Sequence, residues 1–408
     1  MGTNYNYCLM QENREKDYES ITPFSESHSE FLNKLENIYT GPKHCIGTFH
    51  DKLYIWGETN VDFDQEDENG AKWEVVPLPD SKDTSTFNKS ACKEMLLDIP
   101  LSITFHERVK QVSIGFDHSL LVLENSNFVY SQGIGKQGEL GLGDQTKAGV
   151  FKRISTEFSQ GVRSVKAGVK RSFLITQDFQ VYAWGTTDFA KKINVPQHFK
   201  ELDEHLITDI VLGFKHNWYL SRNPEGEINS LLCSGDNKKG QLGFDSSRKS
   251  TSLEMRSELL KNLEKLGIQK VDIQCTWNST IILGMWGETQ VVLITGSTKY
   301  GVVDPEKDLL LLDSDKVCNK EDFEELKYFY LKDLGEELNN SGITKFLTLN
   351  ESFFVVTEKN EVYGWGWNEH GNLGVGTLED ESTPTLITPN VKNIYGNGAY
   401  TIINYHDD

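Results

Sequence analysis

Two groups of residues in this chain have types and spacings that could do chemistry. The stretch SQGIGKQGELGLGD, Ser131 to Asp144, contains Gly133-x-Gly135-x-x-Gly138, the letter pattern of a dinucleotide-binding loop. His44, His118 and His216 each stand three residues after a glycine, and three histidines converging on one channel could ligate a metal ion. A dinucleotide loop needs a strand before it and a helix after it, so that the helix N-terminus meets the pyrophosphate. The strand is there as FVYSQ, but ELGLGDQTKAG after it carries three more glycines and no helical period. No acid closing a second strand follows at the spacing a ribose contact needs. The same glycines return in Ser234 to Phe244 and in Gly364 to Thr377. A phosphate loop is not copied along a chain in this way, so the glycines are assigned to structure. Gly133, Gly235 and Gly366 end a strand where a side chain would clash. Gly138, Gly240 and Gly371 make a turn with positive φ, and Leu140, Leu242 and Leu373 plug inward.

The histidines follow the same logic. Their shared repeat position puts them in different modules, and Arg171, Asn278, Ser352 and Ala399 hold that position in the others. They read as histidines bonding backbone, and no metal site is expected. No nucleophile elbow, His-Glu-x-x-His or Walker loop is present, so neither an enzyme nor a cofactor is expected.

These residues sit on a repeat. Each unit is an apolar run led by a glycine, a short turn, then an aromatic-rich segment ending in glycine. GFDHSLLVLENSNFVYSQG runs from Gly115 to Gly133, GVKRSFLITQDFQVYAWG from Gly168 to Gly185, and LNESFFVVTEKNEVYGWG from Leu349 to Gly366. Looser copies span Gly41 to Gly57, Gly213 to Gly235 and Cys275 to Gly296, and a start without an end begins at Gly396. Cys275 and Leu349 take the lead-glycine slot in their units. Each copy reads as two strands around a tight turn. A further apolar segment precedes most copies, as at Val109 to Ile114, Val162 to Ala167 and Ile343 to Leu347. A repeat of this size buries no core alone, whereas a ring of them does. The incomplete last unit and the orphan N-terminal strand Asn4 to Met10 complete each other. The expectation is therefore one all-β domain over 1–408, a seven-bladed β-propeller whose N- and C-terminal strands share one blade.

Bulk properties narrow the function. Hydrophobic residues at 37% suffice for a large core. The net charge of −20 repels phosphate backbones, so no direct nucleic-acid binding is expected. The six cysteines form no C-x-x-C pair and read as reduced, buried thiols of a cytoplasmic or nuclear protein. The N-terminus shows no signal-peptide pattern and no apolar run is long enough to span a membrane.

The pattern Trp-Gly-x-Asn-x-x-Gly-x-Leu-Gly resembles the repeat of the regulator of chromosome condensation family. Gly364 to Thr377 matches it closely, Gly235 to Gly243 well, and Gly133 to Gly143 in its glycines but without the tryptophan. Within that superfamily, GWGWNEHGNLG looks most like the alpha-tubulin-suppressor and DelGEF-type members. That resemblance implies a non-catalytic regulatory partner of a small zinc-binding (zinc-ribbon) protein of diphthamide synthesis, which also supports Elongator-dependent modification of the tRNA wobble uridine. It implies a monomer or heterodimer. The founding member implies an alternative, guanine-nucleotide exchange on a Ran-like small GTPase.

Three segments interrupt the rhythm: 61–97, acidic at its start; 251–267, read as an amphipathic helix with a Thr251-x-x-Glu254 capping box; and 320–338, read as a second helix with Phe323, Leu326, Phe329 and Leu331 on its apolar side. Ser25 to Ile38 reads as a third, short helix. Partner contacts are expected from loop aromatics and their neighbours: Trp218, Trp277, Trp367, Asn368, Glu369 and His370.

Overall fold

The computed structural model describes residues 2–3, 17–18, 26–59, 61–62, 65–68, 70–72, 74–75, 95–186, 192–304, 306–313, 323 and 325–406. They form two compact units, one built on 3–204 with 395–400 and the other on 205–394 with 401–408.

The first unit contains three antiparallel blades. The first blade comprises Asn37–Thr40, His44–Phe49, Lys52–Thr59 and Met95–Thr104, with Glu74–Val75 added at its edge. The second comprises Val109–Ile114, His118–Leu123, Tyr130–Ile134 and Lys147–Arg153, and the third Val162–Ala167, Arg171–Thr176, Val181–Thr186 and Lys192–His198. In the second unit, the fourth blade is Asp209–Leu212, His216–Arg222, Ile228–Asp236 and Ser250–Met255. The fifth is Ile268–Cys275, Ser279–Trp286 and Thr289–Gly296, extended by Tyr330–Leu331 and Leu309–Leu310. The sixth is Ile343–Thr348, Ser352–Thr357, Val362–Gly366 and Glu381–Thr388.

The second strand of a blade explains its continuous apolar run. His118–Leu123, Arg171–Thr176 and Ser352–Thr357 are buried at every position, because both faces of the sheet are covered. One face of the second blade packs Val112 and Leu121 against Ile46, Ile55 and Leu101 of the first. Its other face packs Leu120 and Val122 against Val165, Leu174 and Trp184 of the third. The second unit repeats this layering, with Leu231 and Leu242 against Ile282 and Leu293, then Ile281 and Ile294 against Phe353 and Trp365. Each such side chain contributes roughly 1.5–3 kcal/mol on burial.

The expectation of seven blades is corrected. Among the described residues, six blades carry at least three strands of four residues or more. What remains is the C-terminal hairpin Val391–Asn397 and Tyr400–Tyr405, with Gly2–Thr3 and Asp17–Tyr18 following in sheet order. Each N-terminal piece is two residues long, so this sheet has two strands of four residues or more where each of the six blades has at least three. The expected closing strand, Asn4 to Met10, lies outside the described residues.

Two helix expectations are also corrected. Thr251 and Glu254 belong to the fourth blade's outer strand, where Thr251 pairs with Gly235. The Thr251 hydroxyl donates to Glu254 Oε2 at 3.1 Å within that strand, and the helix runs only over Ser257–Lys265, burying Leu259 and Leu263. Among the described residues of 320–338, Phe323, Leu326 and Phe329 are buried as expected, but the segment is not one helix. Lys332, paired with Asp308 at 2.8 Å with both side chains fully buried, holds an extended stretch. Gly335 at φ +75° then starts a separate helix, Gly335–Asn339. The N-terminal helix forms at Glu26–Lys34.

Candidate functional site

The glycine loops behave as the repeat requires. Gly133 and Gly235 have φ of +116° and +104°, and a Cβ on either would lie 2.3 Å from the carbonyl oxygen of Asp117 or Lys215. No helix follows Gly138; the chain turns there, and Leu140, Leu242 and Leu373 are fully buried. The dinucleotide pattern is thus a strand end followed by a turn.

The histidines are ties between blades. His44 Nε2 lies 2.7 Å from Ser119 Oγ, His118 Nε2 2.7 Å from Ser172 Oγ, and His216 Nε2 3.2 Å from Thr280 Oγ1. Each partner is a hydroxyl on the next blade's second strand, where the sequence had suggested backbone. Ser172 Oγ donates to Glu139 O at 2.8 Å, and Thr280 Oγ1 donates to Gln241 O at 2.6 Å. A hydroxyl that gives its proton to a carbonyl accepts from the imidazole, which assigns His118 the Nε2–H tautomer. Burial holds His44 down to about 4 and His118 to about 3, so both are neutral near pH 7. Among the described residues, no group of three His, Cys, Asp or Glu could hold a metal ion. No described helix is long and apolar enough to cross a membrane.

The fifth blade shifts the repeat by one residue. Thr276, not Cys275, bonds back across the turn to Ser279 O at 3.0 Å, as Gly115 does to His118 O. Ser279 pairs with Gly296, so Ser279 rather than Asn278 takes the histidine position.

The six expected contact residues divide. Trp218 is fully buried, its indole donating to Thr280 Oγ1 at 2.9 Å. Asn368 is buried too: its Nδ2 donates to the Thr377 and Glu379 carbonyls and its Oδ1 accepts from Leu373 N, closing the loop. Trp277 and Trp367 are half-buried, His370 packs edge-on to Trp367 at 5.2 Å, and Glu369 is exposed. The structure brings the two tryptophan loops to one turn. Trp277 N donates to Asn350 O at 2.8 Å, and Trp367 N donates to Glu351 O at 2.9 Å. Phe214 packs tilted against Trp277, ring centroids 5.0 Å apart, extending this face to the fourth blade.

Sequence reasoning missed Glu351. Its carboxylate, 4% exposed, accepts from Thr276 Oγ1 at 2.9 Å and from Asn278 N and Nδ2 at 2.9 and 2.8 Å. Burial pushes it up to about 7 against those donors. Only its place two residues after the lead position marks it, and other units carry Lys43, Asp117 or Lys215 there. In the first unit, the acidic segment docks on the second blade. Glu68 meets Arg153 at 3.0 Å and accepts from Tyr130 Oη at 3.1 Å, walling a polar groove of about 600 Å³ with Glu107, Phe128 and Glu157.

Residues 359–396 match the model of the regulator of chromosome condensation (RCC1) repeat. The fold aligns with yeast RCC1 (Prp20) from its complex with Kap60 at a TM-score of 0.68, with 17% identity, covering 100% of this chain and 88% of the other. Residues 359–396 thus carry an RCC1 repeat, and the fold is similar to that of a solved RCC1 propeller. Human WBSCR16 aligns at a TM-score of 0.63 and 18% identity, covering 91% of this propeller and 86% of that chain. An RCC1 domain-containing protein of Dictyostelium discoideum is 25% identical over 59% of this propeller and 53% of its own length. The ultraviolet-B receptor UVR8 of Arabidopsis thaliana is 24% identical over 72% of this propeller and 61% of its own length. The propeller thus spans little more than half the length of these curated relatives.

Proposed function

We propose that this RCC1-repeat propeller is a non-catalytic protein-binding scaffold that regulates its partner. The observation that carries this reading is what the buried polar residues do. His44, His118, His216 and Glu351 are bonded across blade boundaries, so residues able to do chemistry are committed to holding blades together. Recognition then falls to exposed loop residues, as is usual for rigid scaffolds. The similarity of Gly364 to Thr377 to alpha-tubulin-suppressor and DelGEF-type repeats supports the finer reading. In it, the partner is a small zinc-ribbon protein of diphthamide synthesis. The pair works in the cytoplasm and nucleus and supports Elongator-dependent wobble uridine modification. Co-purification from a source extract with mass spectrometry tests it: a small zinc protein in near-equal amount is expected, and its absence rejects the finer reading.

A second reading, exchange on a Ran-like GTPase, is favoured by one comparison. Prp20p of Saccharomyces cerevisiae, whose structure was described with its binding to Gsp1p and histones, aligns over 99% of this chain at a TM-score of 0.66. A nucleotide-release assay with Ran separates the two: acceleration supports exchange, and an unchanged rate leaves the scaffold reading alone.

A further inference from the structure

The C-terminal hairpin turns at Asn397-Gly398, with Gly396 before it, so the asparagine has no side chain on either neighbour. The chain's other Asn-Gly pair, Asn69-Gly70, has its asparagine outside the described residues. Asn397 Oδ1 accepts from the Gly398 amide at 2.7 Å, and Asn397 Nδ2 donates to Thr40 O at 3.2 Å. The two bonds agree on one amide orientation, since a flipped amide would set Nδ2 against the Gly398 N–H. The first bond holds the Gly398 nitrogen beside the side-chain carbonyl carbon of Asn397. These are the two atoms that join when an asparagine deamidates spontaneously. Holding reacting atoms in contact supplies much of the advantage of an intramolecular reaction. Gly398 has φ of +58° and no Cβ to crowd the attack. Asn397 is half-buried rather than enclosed, so solvent reaches the residue.

A second observation is where this asparagine sits. Thr40 Oγ1 donates to Gly396 O at 2.8 Å while Thr40 O accepts from Asn397 Nδ2, so Thr40 and the pair Gly396-Asn397 clasp each other within the first unit. Tyr400 Oη donates to Gly41 O at 2.8 Å. A Cβ on Gly398 would stand 3.2 Å from both Cα and O of Pro42, which leaves little room for a longer backbone there.

We propose that Asn397 is a site of spontaneous deamidation, a modification that rewrites the clasp on Thr40. The Gly398 nitrogen attacks Asn397 Cγ. The N–Cγ bond forms, the Cγ–Nδ2 bond breaks, and Nδ2 leaves as ammonia with the proton that the Gly398 amide gives up. Water then opens the cyclic imide. Opening at Cγ restores the main chain with aspartate, and opening at the main-chain carbonyl of residue 397 gives isoaspartate, whose main chain is one carbon longer. Nothing is oxidised or reduced. Either product lacks the amide donor that Thr40 O accepts and carries a carboxylate in its place, so a buried tie is exchanged for a repulsion.

The test is peptide mapping by mass spectrometry after incubation of the intact chain in mildly alkaline buffer, beside a sample unfolded in urea. Unfolding keeps the Asn-Gly pair and removes the geometry. The folded chain is expected to convert Asn397 at least as fast as the unfolded one, while the buried Asn217 and Asn372 of the folded chain stay unchanged. Isoaspartate methyltransferase is expected to label the longer product, and Asn397→Gln to lose both the conversion and the label. Asn397→Asp, which carries the aspartate product from the start, is expected to melt about 2 °C below Asn397→Ala, which loses the donor without gaining the charge. Conversion in urea but not in the folded chain overturns the site. Equal melting of the two variants overturns its effect on the clasp.

Discussion

At the scale of single residues, burial decides whether a polar group can titrate. Glu351 is the clearest case. Its folded value of about 7 lies above the ordinary 4.5, so the folded chain favours the protonated acid. The sign follows from linkage: the stabilisation from this group is fully present below pH 4.5 and is lost as pH rises towards 7. The effect is at most on the order of 3 kcal/mol, because each tenfold change in proton affinity is worth about 1.36 kcal/mol. Glu351→Gln removes that dependence. The variant is therefore expected to gain stability relative to the parent between pH 5 and pH 8, measured by urea unfolding at the two values. A constant difference between the chains would show that Glu351 titrates as an ordinary carboxylate. Residues of this kind are poorly legible in the sequence. Trp218 and Asn368 look like loop contacts because their one-letter context is a loop. In three dimensions each satisfies a neighbour inside the protein, through Thr280 in one case and the Thr377 and Glu379 carbonyls in the other.

At the scale of the elements, the four-strand module is legible because two local signals coincide. The second strand is buried at every position around an apolar run, and the third ends in a glycine that no other residue can replace without a clash. Gly133→Ala tests the second signal. Its φ of +116° and the 2.3 Å approach of a Cβ to Asp117 O predict a loss of about 3 kcal/mol or more. Gly143→Ala is the internal control: φ is +69° and no atom lies within 4 Å, so backbone strain alone costs about 1 kcal/mol. Urea melts of the two variants check the order, and equal losses would contradict it. The segment 320–338 departs from its helical spacing for a physical reason. Its apolar residues fit a helix, but Lys332 is drawn into a buried pair with Asp308 and donates to Ser382 O at 2.5 Å, which no local pattern announces. Likewise Thr251 and Glu254 have a capping-box spacing, yet pairing of Thr251 with Gly235 claims them for a strand.

At the scale of the whole molecule, the architecture is more legible in the sequence than the blade count. The repeat is visible because modules packed against one another within a unit repeat the same burial. The seventh blade rests on leftover pieces at the two ends, and short N-terminal strands do not build the blade that counting implies. The functional reading also belongs to this scale, because it assigns buried polar chemistry to holding blades together and recognition to exposed loop residues. The most direct measurement is affinity capture from a source extract with the intact chain and its Trp367→Ala variant in parallel, followed by quantitative mass spectrometry. The account predicts a protein held by the parent in near-equal amount and lost from the variant, with both chains melting alike. Identical captured proteins from the two chains would contradict it.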